Sequence, residues 1–468
     1  MNKIFVFIFL LAGWLFISMP ESLPAVQPDG ATNILLISID SLRADHLGCY
    51  GYERDTSPVL DELAASGALF ENTVSTTSWT LPAHISLLTS MDISVHGVSH
   101  DGLSLHPSIG TVTQRLKAEG YETACFCSSP YMSPAFGFDR GFDIYRNIDL
   151  EDEKISDTIL PPPKERDVVH ADITSPRITG YAIDWIREHS SRPFFLFLHL
   201  WDVHYDYIPP SPYNRLFDPD YEGEINGRNY LHNEKVSPGM DPRDLEHIIA
   251  LYDGEIAYVD YHIGLIVNEL KTLGVFEDTL IVVTADHGDE FFEHGGKGHR
   301  NTLFDEVTMV PLILHLPRKI SLSRKIPNQV SIIDIAPTIL DLSGITIPDQ
   351  MQGSSLTSLM RGSEEPDNRA ALLELGEVLK ALRSNSWKLL FNTRALQTII
   401  FDLKADPGEN DPIGLTDFSE WSRINRIFYD RLKEDRNLGR AFRGGHGGNP
   451  VKLSPEQRER LRSLGYTK

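Results

Sequence analysis

Asn33-Ile34-Leu35-Leu36-Ile37-Ser38-Ile39-Asp40 is the stretch on which the fold turns. A strand with one wet face alternates apolar and polar residues. This run is apolar almost throughout and stops at a carboxylate, so it reads as a strand buried on both faces. Such strands belong to parallel sheets covered by helices, and ligands gather beyond their carboxyl ends. Asp40 stands at such an end. Pro193-Phe194-Phe195-Leu196-Phe197-Leu198-His199-Leu200 and Thr279-Leu280-Ile281-Val282-Val283-Thr284-Ala285 repeat the pattern, and the latter runs into Asp286-His287-Gly288. Residues 121–127 and 310–314 read as two more strands. Helical patterns separate them. Thr56-Ser57-Pro58-Val59-Leu60-Asp61-Glu62-Leu63 has a cap, an early proline and a closing Gly67, and residues 109–120, 179–189, 244–273 and 331–344 follow. The expected fold is α/β, a mostly parallel central sheet between helices, with a small C-terminal α+β subdomain.

That subdomain is expected from a change of texture beyond residue 348. Short apolar runs at 371–375, 387–391 and 398–403 are joined by polar turns, the pattern of a small antiparallel sheet. A helix over 418–433 would pack on it, residues 443–449 form a Gly-rich break, and Ser454-Pro455-Glu456-Gln457 opens a last helix with a capping box. Residues 151–172 and 211–240 read as surface insertions.

The chain has 468 residues, enough for a large core, with 41% hydrophobic and 23% charged residues and a formal charge of -23. That balance argues against nucleic acid as a partner, because polyanion binding needs a basic footprint. Three cysteines make no disulfide framework, and Cys125 and Cys127, two apart in a strand-like run, read as buried thiols. Lys3 before the apolar run from Ile4 to Ile17 reads as a targeting signal, too short for a confident span. The expected layout is residues 1–25 as signal peptide or anchor, 32–345 as the main domain and 346–468 as the C-terminal subdomain. Export follows, to a periplasmic, secreted or membrane-anchored location. Membrane contact is expected only through an uncleaved N-terminal segment.

Thr80 opens the chemistry. In Ser78-Trp79-Thr80-Leu81-Pro82-Ala83-His84 it precedes a Pro-started apolar helix, where unpaired N–H groups and the positive helix end favour an anion. A threonine there is ordinarily only a cap. Its company changes the reading, since Asp40, His204, Asp286 and His287 all fall at strand ends. Two carboxylates, an imidazole and a hydroxyl can surround a divalent cation, and that cation can lower the pKa of the alcohol. Thr80 would then be the nucleophile. His84, one turn along the same helix, faces the same place. His204, Lys297 and His299 are candidates for neutralising substrate oxygens or protonating a leaving group.

Taken together, residues 33–40, Leu47-Gly48-Cys49-Tyr50-Gly51, the Thr80 stretch, Asp286-His287-Gly288, and Leu403-Lys404-Ala405-Asp406-Pro407-Gly408-Glu409 resemble the sulfatase family of the alkaline phosphatase superfamily. The resemblance runs from about residue 32 to Leu461-Arg462-Ser463-Leu464-Gly465-Tyr466. It implies an α/β domain with a small C-terminal subdomain and one divalent metal ion (Ca, Mn or Zn), with hydrolysis of a sulfate or related ester. The substrate class is an anionic ester, glycans and lipid headgroups included. By position Asp40, Ser41, Asp286 and His287 stand where the family's metal ligands stand, Thr80 is the nucleophile beside them, and His204 contacts substrate. Lys297 or His299 stands near a family basic residue.

The departures carry as much as the matches. Sulfatases hold Cys or Ser in Cys/Ser-x-Pro-x-Arg and convert it to formylglycine, whereas this chain reads Thr80-Leu81-Pro82-Ala83-His84. A β-methyl replaces the hydrogen that the aldehyde would keep, so oxidation could give only a ketone and no formylglycine is expected. Ser41 stands where the family has a second acid, and His287 where it has Asn. An imidazole tilts the site from an all-oxygen calcium shell toward zinc or manganese. A threonine ester cannot collapse to an aldehyde, which favours phosphorus over sulfur as the atom attacked. The alternatives are a phosphodiesterase or phospho-headgroup transferase of the same superfamily, and an inactive binding homologue.

Overall fold

A central nine-stranded sheet carries the polar strand ends toward one another. The structure is a computed structural model that describes residues 32–148, 174–320, 323–363, 369–413, 418–444, 448–455, 457, 458 and 461. The targeting segment expected over 1–25, the excursion over 151–172 and residues 462–466 lie outside the described residues.

The sheet strands in chain order are β1 (Asn33–Ile39), β2 (Ala68–Val74), β3 (Glu122–Cys127), β4 (Ile144–Asn147), β5 (Phe194–Leu200), β6 (Thr279–Ala285), β7 (Met309–Val310), β8 (Leu312–His315) and β9 (Arg324–Ser331). β1 lies at the centre, parallel to both β5 and β6, and all seven residues of each of these three strands are buried. This is why their sequences are continuous apolar runs rather than alternations. β3 continues the parallel order beside β5, with β4 at the edge. On the other side β8 runs antiparallel to β6 and β2, and β9 returns parallel to β2. The expected α/β architecture is therefore present, with antiparallel strands on one flank. β2, β4 and β9 are not apparent in the apolar runs, because ALFENTV and RKIPNQVS carry polar residues and lie away from the doubly buried centre.

The helices that matter here are α1 (Pro58–Ala65), α2 (Thr80–Thr89), α3 (Val112–Ala118), α4 (Ser175–His189), α5 (Pro242–Thr272) and α6 (Ile335–Leu342). Every residue of α2 is buried, its polar Thr80, His84, Ser86 and Thr89 included, so this helix is enclosed on all sides rather than turning one face to solvent. Pro82 falls in its first turn, where a missing N–H costs nothing. Thr80, expected just before the helix, is its first residue, and Trp79 occupies the cap position without a side-chain cap bond. The helix expected over 331–344 splits into a 3-10 turn, Ile332–Asp334, and α6.

The C-terminal sheet has four antiparallel strands, β10 (Ala371–Leu375), β11 (Leu379–Arg383), β12 (Trp387–Asn392) and β13 (Gln397–Asp402). Period-two alternation sorts its faces. Leu372, Leu382, Leu389 and Ile400 pack with Ile424 and Phe428 of α7 (Phe418–Phe442), whereas Leu373 and Ala381 pack with Val74 and Leu303 of the main domain. At the junction the fully buried Lys388 bridges Asp305 and Glu409, and Arg383 clasps Asp305.

Candidate active site

Register places the polar ends. Ile39 pairs with Leu200 on one side and Ala285 on the other, so Asp40 and Asp286 leave adjacent strands at one level. Two residues back, Ser38 pairs with His199 and Thr284, which puts Ser38, Asp40, His199 and Asp286 on one face of the sheet. α2 covers that face, since His84 Nε2 meets Ser38 Oγ at 2.9 Å. Gly288 lets the chain turn away after His287, because a Cβ there would run into the Glu306 carbonyl. Ser75 at the exit of β2 donates to the Asp286 carbonyl at 2.5 Å and fixes the two stretches together.

Thr80 Oγ1 lies 3.4 Å from Asp40 Oδ2 and 3.4 Å from His287 Nε2. His287 Nε2 is in turn 3.3 Å from Asp286 Oδ2 and 3.7 Å from Asp40 Oδ1. Asp40, Thr80, Asp286 and His287 thus form one cluster, and all are buried. Ser41 belongs to it through both of its polar groups. Its amide donates to Asp286 Oδ1 at 3.2 Å, and its hydroxyl donates to Asp40 Oδ1 at 2.9 Å.

The donor set fits a divalent cation on local grounds. The Gly288 carbonyl, 3.0 Å from His287 Nδ1, can only accept, so Nδ1 carries a hydrogen and Nε2 is the nitrogen turned toward two carboxylates, able to ligate a cation once its own proton leaves. Asp286 Oδ1 receives N–H bonds from Ser41 and His287, while the buried Oδ2 has no hydrogen-bond partner. Convergent acceptors in a buried space call for positive charge. Asp40, Asp286 and His287 are mutually close enough to share one ion. Electrostatics agree: burial pushes Asp40 up to about 6, and burial together with Asp40 raises Asp286. Burial pulls the His287 imidazole down, but the Asp286, Asp40 and Asp289 carboxylates outweigh it and the net shift is upward.

His84 sits behind this cluster. Its Nδ1 donates to the Thr80 carbonyl at 3.0 Å and lies 3.7 Å from Asp286 Oδ2, while burial presses it down to about 4. His204 stacks on Trp201 with centroids 4.0 Å apart and donates from Nδ1 to the Tyr205 carbonyl at 2.6 Å. His299 lies 4.9 Å from His204 and 4.2 Å from His287, ring to ring, and its Nδ1 is held by Asp289 Oδ1 at 2.6 Å. Lys297 is placed differently. Its ammonium bonds the carbonyls of Tyr230, Asn233 and Val236, tying the 211–240 insertion to the loop instead of joining the Thr80 cluster.

Three participants are absent from the sequence reading. His199 reaches Asp40 Oδ2 at 3.1 Å, and its signal was a lone imidazole inside the otherwise apolar β5. Asp289 receives both His299 and the Tyr207 hydroxyl, the latter at 2.6 Å. Arg43 donates to Asp45, to Glu293 and to the Asp289 carbonyl, so it buttresses the loop after β6. Neither Asp289 nor Arg43 stands out locally, because Tyr207 and Glu293, the partners that tie them to the site, are distant in sequence.

A covered, mostly parallel sheet with carboxylates, imidazoles and a hydroxyl at its central strand ends is the architecture of alkaline phosphatase-like hydrolases. The chain belongs to the sulfatase family within that superfamily: the family model described as Sulfatase matches residues 32–345. A second model, described as N-sulphoglucosamine sulphohydrolase, C-terminal, matches residues 293–437. The arylsulfatase of Clostridium perfringens is 26% identical over 437 residues, covering 81% of this chain and 89% of that protein. The phosphonate monoester hydrolase of Agrobacterium radiobacter superposes with a TM-score of 0.70 at 22% identity, covering 87% of this chain and 96% of the other. A protein solved with its substrate D-glucosamine-2-N,6-O-disulfate gives 0.70 at 18% identity, over 88% and 99%. These likenesses make the chain a hydrolase of the sulfatase family, a family that typically uses a divalent metal.

Proposed function

We propose that this chain is a metal-dependent hydrolase that cleaves a sulfate or phosphate-type ester through Thr80. The observation that carries the reading is the 3.4 Å approach of Thr80 Oγ1 to both Asp40 Oδ2 and His287 Nε2 at the first residue of a buried helix. Asp40, Asp286 and His287 would hold one divalent cation beside Thr80 and Ser41. When bound, it supplies charge that lowers the pKa of a neighbouring hydroxyl and offsets negative charge on ester oxygens.

The chain's own residues then divide the work. Thr80 Oγ1 gives its proton to Asp40 Oδ2, 3.4 Å away, and attacks the central phosphorus or sulfur, forming a new ester bond as the bond to the leaving oxygen breaks. His204 and His299, adjacent over the cluster, are the side chains to contact ester oxygens and protonate that leaving oxygen. Asp289 holds the His299 ring through Nδ1, and Lys297 anchors the 211–240 insertion to the loop that carries His299. Water attack at the same central atom releases Thr80. Threonine provides no aldehyde route for release, which favours phosphorus and keeps a phosphodiesterase or headgroup transferase as the second reading.

The substrate is an anionic ester. A neighbour crystallised with a glucosamine disulfate supports a glycan, and a lipid headgroup satisfies the same chemistry. Zinc or manganese suits the imidazole at 287 better than calcium does. Export through residues 1–25 and a division near residue 345 complete the proposal. The decisive assay offers purified protein an aryl sulfate, an aryl phosphate monoester, a phosphodiester and a phosphonate monoester, with metal analysis, beside Thr80→Ala. Turnover by Thr80→Ala at the wild-type rate would sink the nucleophile. Protein that takes up no metal and turns over none of the four esters would favour a binding homologue.

A further inference from the structure

Arg300 holds its backbone at φ +68°, the left-handed region where a Cβ crowds the chain and glycine is the natural occupant. Glycines stand nearby at 295, 296 and 298, yet position 300 carries an arginine. Its side chain therefore has contacts that offset the strain.

Those contacts converge on the residue before Thr80. The guanidinium lies 4.3 Å from the ring centre of Trp79 and 5.3 Å from that of Tyr131, and it donates to the Tyr131 hydroxyl at 2.9 Å. Trp79 and Tyr131 meet edge to face at 5.3 Å, and both are buried. The backbone joins in: Arg300 N donates to the Ser78 carbonyl at 3.0 Å, and Ser78 Oγ donates to the Thr302 carbonyl at 2.8 Å. Three separate segments meet at one cation. They are the 3-10 turn Pro130–Met132 after β3, the entry to α2, and the loop that carries His299. No side chain caps α2 at Trp79, so the clamp of Arg300 contacts is made where the helix entry has no cap bond of its own. One residue before Arg300 in the chain, His299 stacks against Tyr205 with centroids 4.9 Å apart.

We propose that Arg300 is a positioning residue. Through Trp79 and Ser78 it sets where Thr80 Oγ1 stands against Asp40 and His287, and it keeps His299 in register with that hydroxyl. The proposal rests on the reading of Thr80 as nucleophile. A flat guanidinium suits the task, since it can lie against the Trp79 ring while directing an N–H at the phenol. A lysine would keep the charge and lose the plane.

The test compares wild type, Arg300→Ala, Arg300→Lys and Thr80→Ala. Hydrogen exchange of peptides spanning 75–84 and 299–302 is measured with thermal denaturation, and kcat and KM are measured on the aryl ester that wild type turns over best. Arg300→Ala is expected to speed exchange in both segments by at least about tenfold while the rest of the chain is unchanged. Its kcat is expected to fall by up to about 100-fold, the scale of a misplaced reacting group, with KM within about twofold. Arg300→Lys should fall between. Unchanged exchange at 75–84 overturns the clamp. A raised KM at unaltered kcat also overturns it, by making Arg300 a substrate contact, and so does faster exchange across the whole chain, by making it a general stabiliser. Thr80→Ala at wild-type activity overturns the nucleophile reading alone, and the exchange measurement then still decides whether Arg300 holds the segment.

Discussion

Nε2 of His199 lies 3.1 Å from Oδ2 of Asp40, and the two side chains meet across adjacent parallel strands. The carboxylate therefore has its orientation set from within the sheet as well as by the Ser41 hydroxyl. Outer partners of this kind commonly change metal affinity by about 10–100-fold when removed. His199→Ala is expected to weaken binding of zinc or manganese by that factor in calorimetric titration. His199→Gln, which keeps an N–H within reach of Asp40, should lose less. Equal affinity in all three proteins would mean that His199 braces nothing.

Asp40 and Asp286 oppose each other whenever no cation lies between them, because both are buried and of like charge. In metal-free protein Asp286→Asn should therefore raise stability, by about 1–3 kcal/mol if relief of a buried charge governs. With cation present the order reverses. Wild type gains about 4.1 kcal/mol at a cation concentration about 1,000 times its Kd, and the variant gains none. Melting curves with chelator and with added metal check both halves. A variant that still responds to metal would remove Asp286 from the ligand set.

His96 offers a pH dependence away from the cluster. Val98 N–H donates to its Nδ1 at 3.1 Å and its Nε2 faces Ser86 Oγ at 3.1 Å, a pairing that only the neutral ring satisfies. Burial, with Arg443 nearby, lowers it from 6.5 to about 3. Below pH 6.5 the unfolded chain takes up a proton that the folded chain refuses, so stability falls as pH falls toward 3. The slope approaches about 1.4 kcal/mol per pH unit. Above pH 6.5 the group contributes no slope. His96→Gln should flatten the acid limb of stability against pH in denaturant unfolding, and an unchanged limb would refute the assignment.

Lys388 is fully buried, with Nζ 2.9 Å from Asp305 Oδ1 and 2.9 Å from Glu409 Oε1. Lys388→Met leaves the buried Glu409 and the half-buried Asp305 short of a cation and should cost about 3–5 kcal/mol, toward the lower end because Asp305 is partly solvated and Arg383 still holds it. Adding Glu409→Gln should recover part of the loss. Denaturant unfolding of the single and double variants measures both, and a double variant no better than the single would show that the Lys388–Glu409 pair is not the source.

Much of the fold was legible because burial on both faces writes itself into composition. β1, β5 and β6 could be continuous apolar runs only at the centre of a covered parallel sheet, and their terminal residues were then marked as a site. β2 and β9 were not legible, since strands away from that centre keep polar residues that look like loop. β11 went unread for a related reason: LKALR carries two charges that pair across the junction and its neighbour strand, with Arg383 on Asp305 and Lys380 on Glu374.

For the site the boundary falls elsewhere. The sequence by itself determined the chemistry available: a threonine hydroxyl, two strand-end carboxylates and an imidazole beside one of them. Which of these groups meet was decided only by the tertiary structure. Register between β1, β5 and β6 brought Asp40, Asp286 and His199 to one face, and α2 carried Thr80 onto it. Lys297 had the right charge and a nearby position in the chain, but its loop delivers it to three carbonyls of the insertion. Residue type sets what a group can donate or accept. Strand pairing and helix packing set the few ångströms that decide whether it does.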